Sequence, residues 1–124
     1  MKQNPRFREG IELFNEEKFL EAHEAWEDLW REVKKERPED ADFYRGLIQA
    51  AAAFHHARKQ NFKGACELFK TSIDYLNQKQ KMNCGIRLSK LIGELKAGLK
   101  TLQANPEKQI EKFPKIELDN QTLS

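Results

Sequence analysis

The stretch that decides the fold is Phe19-Leu20-Glu21-Ala22-His23-Glu24-Ala25-Trp26-Glu27-Asp28-Leu29-Trp30-Arg31-Glu32-Val33. At about 100° of rotation per residue, Phe19, Ala22, His23, Trp26, Trp30 and Val33 fall on one stripe, and Glu27 lies one turn after His23 at its edge. This period predicts an amphipathic helix from about Phe19 to Lys35. It should end before Arg37-Pro38, because proline disfavours helical geometry in the residue ahead of it. The aromatic residues should carry the stripe into a core. His23 and Glu27 would then be ionisable groups on a dry face, where each needs a partner. At i, i+4 they can touch each other or share a third species.

The same periodicity extends in both directions. Upstream, Phe7, Gly10, Ile11 and Phe14 form an apolar stripe broken near Asn15-Glu16-Glu17. Downstream, Pro38-Glu39-Asp40 reads as a helix start, with acids in the first turn to suit the helix dipole. That third helix should run to about Gln60, and Ala50-Ala51-Ala52-Ala53 leaves it no wide polar face, as befits a central helix. Phe62, Ala65, Cys66, Phe69, Ile73 and Leu76 stripe a fourth helix. After a break at Asn83-Cys84-Gly85, Leu88, Leu91, Ile92, Leu95, Leu99 and Leu102 stripe a fifth, in which Gly93 and Gly98 are expected to permit close packing. Asn105-Pro106 ends it. The alternating apolar residues around Phe113, Ile116 and Leu118 read as extended chain packed back on the helices.

A weak repeat appears at an offset of 43 residues, aligning Phe19, Ala22, Glu24 and Trp26 with Phe62, Ala65, Glu67 and Phe69. The expectation is an all-α, single-domain bundle of about five helices over residues 1–124, built from two similar helical hairpins. Its core should span about residues 5–104, with an extended C-terminal tail at 105–124. The paired hairpins are similar to tetratricopeptide-type units, although two units are fewer than a solenoid needs.

Composition narrows the function classes. The 124 residues are 39% hydrophobic and 34% charged, as expected of fully amphipathic helices around one core. No apolar run approaches the roughly 18–20 residues of a membrane span, and the polar amino terminus lacks the apolar centre of a signal peptide. Two cysteines make no disulfide framework, so a cytoplasmic, reduced protein is expected. Residues 9–42 carry thirteen acidic and five basic side chains, whereas residues 43–124 carry fourteen basic and seven acidic ones. No basic block is dense or interleaved with aromatics, which argues against nucleic acid as a partner. Gly-rich phosphate loops and a Gly-x-Ser-x-Gly elbow are missing from the sequence.

The candidate site is therefore polar and helical. On the third helix Arg45, Gln49 and His56 share a face, with His55 between it and the apolar side. With the second and third helices side by side, His23, Glu27, Gln49 and one of His55 or His56 would face a shared pocket, near Arg45 and Trp30. Imidazole nitrogen and carboxylate oxygen suit a divalent transition metal, and four such groups could form a nearly closed sphere. If catalysis exists there, Glu27 or a metal-bound water is the expected base of a hydrolase. Alternatively, a His23–Glu27 pair is a core lock, or Arg45 quenches Glu27 as an ion pair. The hairpins would then serve as a non-enzymatic interaction module for a protein partner or a second copy of the chain. His23-Glu24-x-x-Glu27 lacks the second histidine of the His-Glu-x-x-His metalloprotease pattern.

These residues resemble a known family. His23-x-x-x-Glu27-x-x-Trp30, preceded by Phe14-Asn15 and Phe19-x-Glu21-Ala22, is similar to the signature of domain of unknown function family 309. Gly46-Leu47-Ile48-Gln49-Ala50-Ala51-Ala52, Asn61-x-x-Gly64-Ala65 and the Pro114-x-Ile116-x-Leu118 tail extend the resemblance over about residues 7–118. The resemblance implies a small helical bundle of uncharacterised function. It also implies metal binding at His23 and Glu27, with Trp30 packing beside them.

Overall fold

In a computed structural model that describes residues 4–80, 84–104, 110 and 112–119, the described residues form five helices and an extended tail. The helices are α1 (Pro5–Asn15), α2 (Phe19–Glu36), α3 (Pro38–Arg58), α4 (Phe62–Asn77) and α5 (Leu88–Ala104). Each packs against the next in chain order, and α3 shares its largest interfaces with α2 and α4. It is therefore the central helix that its alanine run predicts.

Local chemistry sets the boundaries. The side chain of Asn4 caps α1 by accepting from the Arg6 backbone N–H, and Pro5 fills a first-turn position whose missing donor costs nothing. Asn61 caps α4 in the same manner, accepting from the Gly64 N–H. The two hairpins turn alike: Glu17 after α1 and Gln60 after α3 adopt left-handed φ values of 64° and 65°. These positions are 43 residues apart, so the sequence repeat is also a backbone repeat. The third helix ends at Arg58, slightly before the expected Gln60, because Gln60 itself makes this turn.

Aromatic packing joins the layers. The fully buried Phe54 ring of α3 lies 5.8 Å from Phe14, 5.4 Å from Phe19, 5.0 Å from Phe69 and 5.8 Å from Phe113. One side chain thus touches α1, α2, α4 and the tail, and such ring pairs add about 0.5–1.5 kcal/mol each beyond their buried area. Trp26 is buried against α1, where its indole N–H donates to the Phe7 carbonyl at 3.2 Å. This approach requires Gly10, since a Cβ there would stand 2.0 Å from the indole nitrogen. Gly46 has the same role between α3 and α4, where its carbonyl accepts from the buried Ser72 hydroxyl at 2.7 Å. The expectation for α5 is corrected. Gly93 is exposed with nothing near its missing side chain, and a Cβ at Gly98 would make only ordinary contact with Phe69.

The tail is extended, as its alternation predicts, and it is tied at three places. Asn15 brackets Ile116, accepting from its N–H at 2.7 Å and donating to its carbonyl at 3.0 Å. Ile86 and Leu118 form an antiparallel bridge, flanked by Arg87 N–H to the Glu117 carbonyl. Ile116 is buried and Phe113 joins the Phe19–Phe54 cluster. Residues 105–109, 111 and 120–124 of the expected tail lie outside the described residues. Among the described residues, no helix is long and apolar enough to cross a membrane.

Candidate functional site

The rotation of α2 differs from the sequence expectation. Its buried residues are Phe19, Ala22, Trp26, Leu29 and Val33. Leu29 therefore completes the stripe, and His23 and Trp30 move to a half-buried flank shared with Glu27, with the exposed Lys34 beside it. The physical reason is Trp26: seated against Gly10, it turns the helix so that Leu29 points inward. His23 and Glu27 are consequently not on a dry face. Their side chains are 29% and 35% exposed, which leaves them open to a solute.

His23 Nδ1 stands 3.6 Å from Glu27 Oε2, too far for a hydrogen bond. The nitrogen is nevertheless buried and has no partner. Glu27 is held instead by Arg31, whose Nη2 donates to Oε1 at 2.7 Å. Arg31 also reaches Asp28, which pairs with Arg6 of α1 at 2.9 Å. The alternative in which Arg45 quenches Glu27 is thus corrected, because the cation paired with Glu27 is Arg31, one turn along the same helix. That i, i+4 pairing was legible in the sequence.

On α3 the candidate residues divide. Gln49 is half-buried, and its Oε1 is a second buried polar atom without a partner. His55 lies within electrostatic reach of His23. Burial holds the His55 pKa below the ordinary histidine value of 6.5, and the charges of His56, Lys59, Arg58 and His23 push it the same way. His56 points elsewhere, with Nδ1 3.2 Å from the Asn61 amide that precedes α4. Among the described residues, no three His, Cys, Asp or Glu side chains are grouped to hold a metal ion.

Arg45 has a different setting. Its guanidinium lies 5.3 Å from the Trp30 ring centre and 5.7 Å from that of Tyr75, and Nη1 donates to the Tyr75 hydroxyl at 3.2 Å. Lys34 Nζ lies 4.9 Å from the same Trp30 ring. Nothing in the sequence pattern signalled Tyr75, because its place beside Arg45 follows from how α4 docks on α3. Cys66 and Cys84 are both half-buried. Burial raises the Cys84 pKa, and its Sγ contacts the Ile86 carbonyl, so it is not an activated thiolate.

An open cleft of about 660 Å³ lies away from these residues, between α5 and the tail, over Phe54, Gly98 and Phe113. It contains none of His23, Glu27, Trp30, Arg45 or Gln49.

No curated protein matches the chain. Residues 7–68, from α1 into α4, match the family described as a domain of unknown function, DUF309. The match takes in every residue of the candidate site except Tyr75, and His23, Glu27 and Trp30 stand together along one flank of α2. This chain belongs to the domain of unknown function family DUF309.

Proposed function

We propose that this protein is a ligand-binding helical bundle whose α2 flank takes a cation through His23 and Glu27. The observation that carries the reading is the gap between His23 Nδ1 and Glu27 Oε2. At 3.6 Å these two lone-pair donors are close enough to chelate yet make no hydrogen bond, and Nδ1 is buried without a partner. A buried polar atom left unpaired costs about 1–3 kcal/mol, so a species that satisfies it gains affinity. The donors suit a divalent transition metal. Two protein ligands are too few for a closed structural zinc site, so such an ion would keep positions for water or a second molecule. When bound, it would supply Lewis acidity to whatever occupies those positions. Gln49, whose Oε1 is also buried and unpartnered, is a further oxygen donor on α3.

Elemental analysis of the purified chain, with titrations of zinc, manganese and nickel, tests this reading. About one equivalent of metal is expected, lost in His23→Ala and Glu27→Gln while far-UV circular dichroism shows intact helices. Metal uptake unchanged in His23→Ala, or none in the wild type with all three ions, would overturn it.

A second reading has its own observation. Leu20 is the exposed large hydrophobic residue of the described chain, at 45%, and it lies one turn before His23 on the same flank. A tetratricopeptide-like use of the two hairpins as a protein-docking face would centre there. Loss of a stoichiometric partner in Leu20→Glu, with His23→Ala still binding it, would select this reading.

A further inference from the structure

We infer that Arg45, held between Trp30 and Tyr75, is a recognition point for an oxyanion, a carboxylate or phosphate group on a small molecule. The inference rests on the ligand-binding reading of the same face and names the chemistry of the other end of the ligand.

Four other arginines of the described chain have carboxylate partners: Arg6 with Asp28, Arg31 with Glu27 and Asp28, Arg37 with Asp40, and Arg58 with Glu17. Arg45 has none within ion-pair distance among the described residues, and neither has Lys34. Although Arg45 is exposed, its guanidinium has close neighbours. Two aromatic rings and the Tyr75 hydroxyl hold the guanidinium, and only one of its five N–H groups is used in a hydrogen bond. A planar fork already held in one orientation loses little freedom when it binds, and it matches the two oxygens of a carboxylate or phosphate. Lys34 on the Trp30 ring adds a second cation without a carboxylate. The charge is thus poised for an anion that the chain does not itself supply.

The position agrees with the neighbouring donors. Trp30 follows Glu27 by three residues, about 4.5 Å along the helix axis. A molecule placing an oxyanion at Arg45 could therefore reach the His23–Glu27 donors, or a cation held by them, without being large. Arg31 already neutralises Glu27, which lowers the repulsion such an anion would meet.

The test is calorimetric titration of the full chain with inorganic phosphate, phenyl phosphate and benzoate at low ionic strength, where charge interactions are least screened. Saturable binding of at least one is expected. Affinity should fall roughly tenfold in Arg45→Gln and less in Arg45→Lys, which keeps the charge but not the fork. Tyr75→Phe, which removes only the hydroxyl that orients the fork, should also weaken binding. Arg8→Gln, at an exposed arginine of α1, should leave it unchanged. Tighter binding of phenyl phosphate than of phosphate would support the Trp30 ring as part of the site, and preference for benzoate would assign the oxyanion as a carboxylate. No saturable binding of any probe, or equal losses in Arg45→Gln and Arg8→Gln, would overturn the inference. His23→Ala separates the two readings: phosphate or benzoate binding kept there, with metal uptake also unchanged, would remove the cation site and leave the oxyanion position standing.

Discussion

Replacing Gly10 with alanine should destabilise the whole bundle, even though alanine is the better helix former. Gly10 lies within α1, where the substitution alone would gain about 1 kcal/mol from propensity. The new methyl, however, would fall 2.0 Å from Trp26 Nε1 and 2.4 Å from Cδ1 and Cε2. The obstructing group is a rigid, fully buried ring rather than the far end of a flexible chain. Either α1 must lift away or the indole must shift. Overpacking of this kind costs about 1–3 kcal/mol. Moving the indole also breaks its hydrogen bond to the Phe7 carbonyl and leaves buried groups unpaired, which costs about 1–3 kcal/mol more. Net of the propensity gain, the loss should be roughly 1–5 kcal/mol. Urea denaturation followed by far-UV circular dichroism measures it as a fall in the midpoint at unchanged slope. Gly93→Ala is the control, because its Cβ meets nothing within 4 Å; it should stabilise by up to about 1 kcal/mol. If Gly10→Ala is neutral or stabilising, α1 is not seated on Trp26 as described, and the account of the α2 rotation fails with it.

Two further outcomes follow from other contacts. Asn15→Ala removes both hydrogen bonds to the Ile116 backbone, at about 0.5–1.5 kcal/mol each. Hydrogen exchange should therefore accelerate at Ile116 before it does in the α2–α3 core, and unchanged protection there would refute the tether. His55 has a folded-state pKa below its unfolded value, so the unfolded chain binds more protons and stability falls as pH drops through the histidine range. The penalty is absent above the unfolded pKa and complete below the folded one. His55→Gln should thus gain stability relative to the wild type on going from about pH 8 to about pH 5, and a pH-independent difference between them would rule this out.

The helices were legible because their information is local. Phe7, Gly10, Ile11 and Phe14, or Leu88, Leu91, Ile92 and Leu95, declare a 3.6-residue period, and all eight are buried. Pro38 and Asn61 mark starts through backbone chemistry that needs no tertiary contact. The 43-residue repeat was visible for the same reason, and Glu17 and Gln60 reproduce it in the backbone. The candidate residues of α2 were also legible as a group: His23, Glu27 and Trp30 recur at helical spacing and do stand on one flank.

What the sequence left open was rotation and convergence, which neighbouring helices decide. Phe19, Ala22, Trp26 and Val33 fit a stripe completed by either Leu29 or Trp30, about 100° apart. Only the seating of Trp26 against Gly10 selects Leu29 and leaves His23 and Trp30 at the edge. Likewise, Arg45 had an acidic candidate partner in Glu27. Docking of α4 on α3 instead brings Tyr75 to its guanidinium, while Arg31 takes the carboxylate. Periodicity records which residues share a face of one helix. Which side chains meet across faces depends on how Gly10, Gly46 and the large rings let the helices approach, and that is a property of the packed bundle alone.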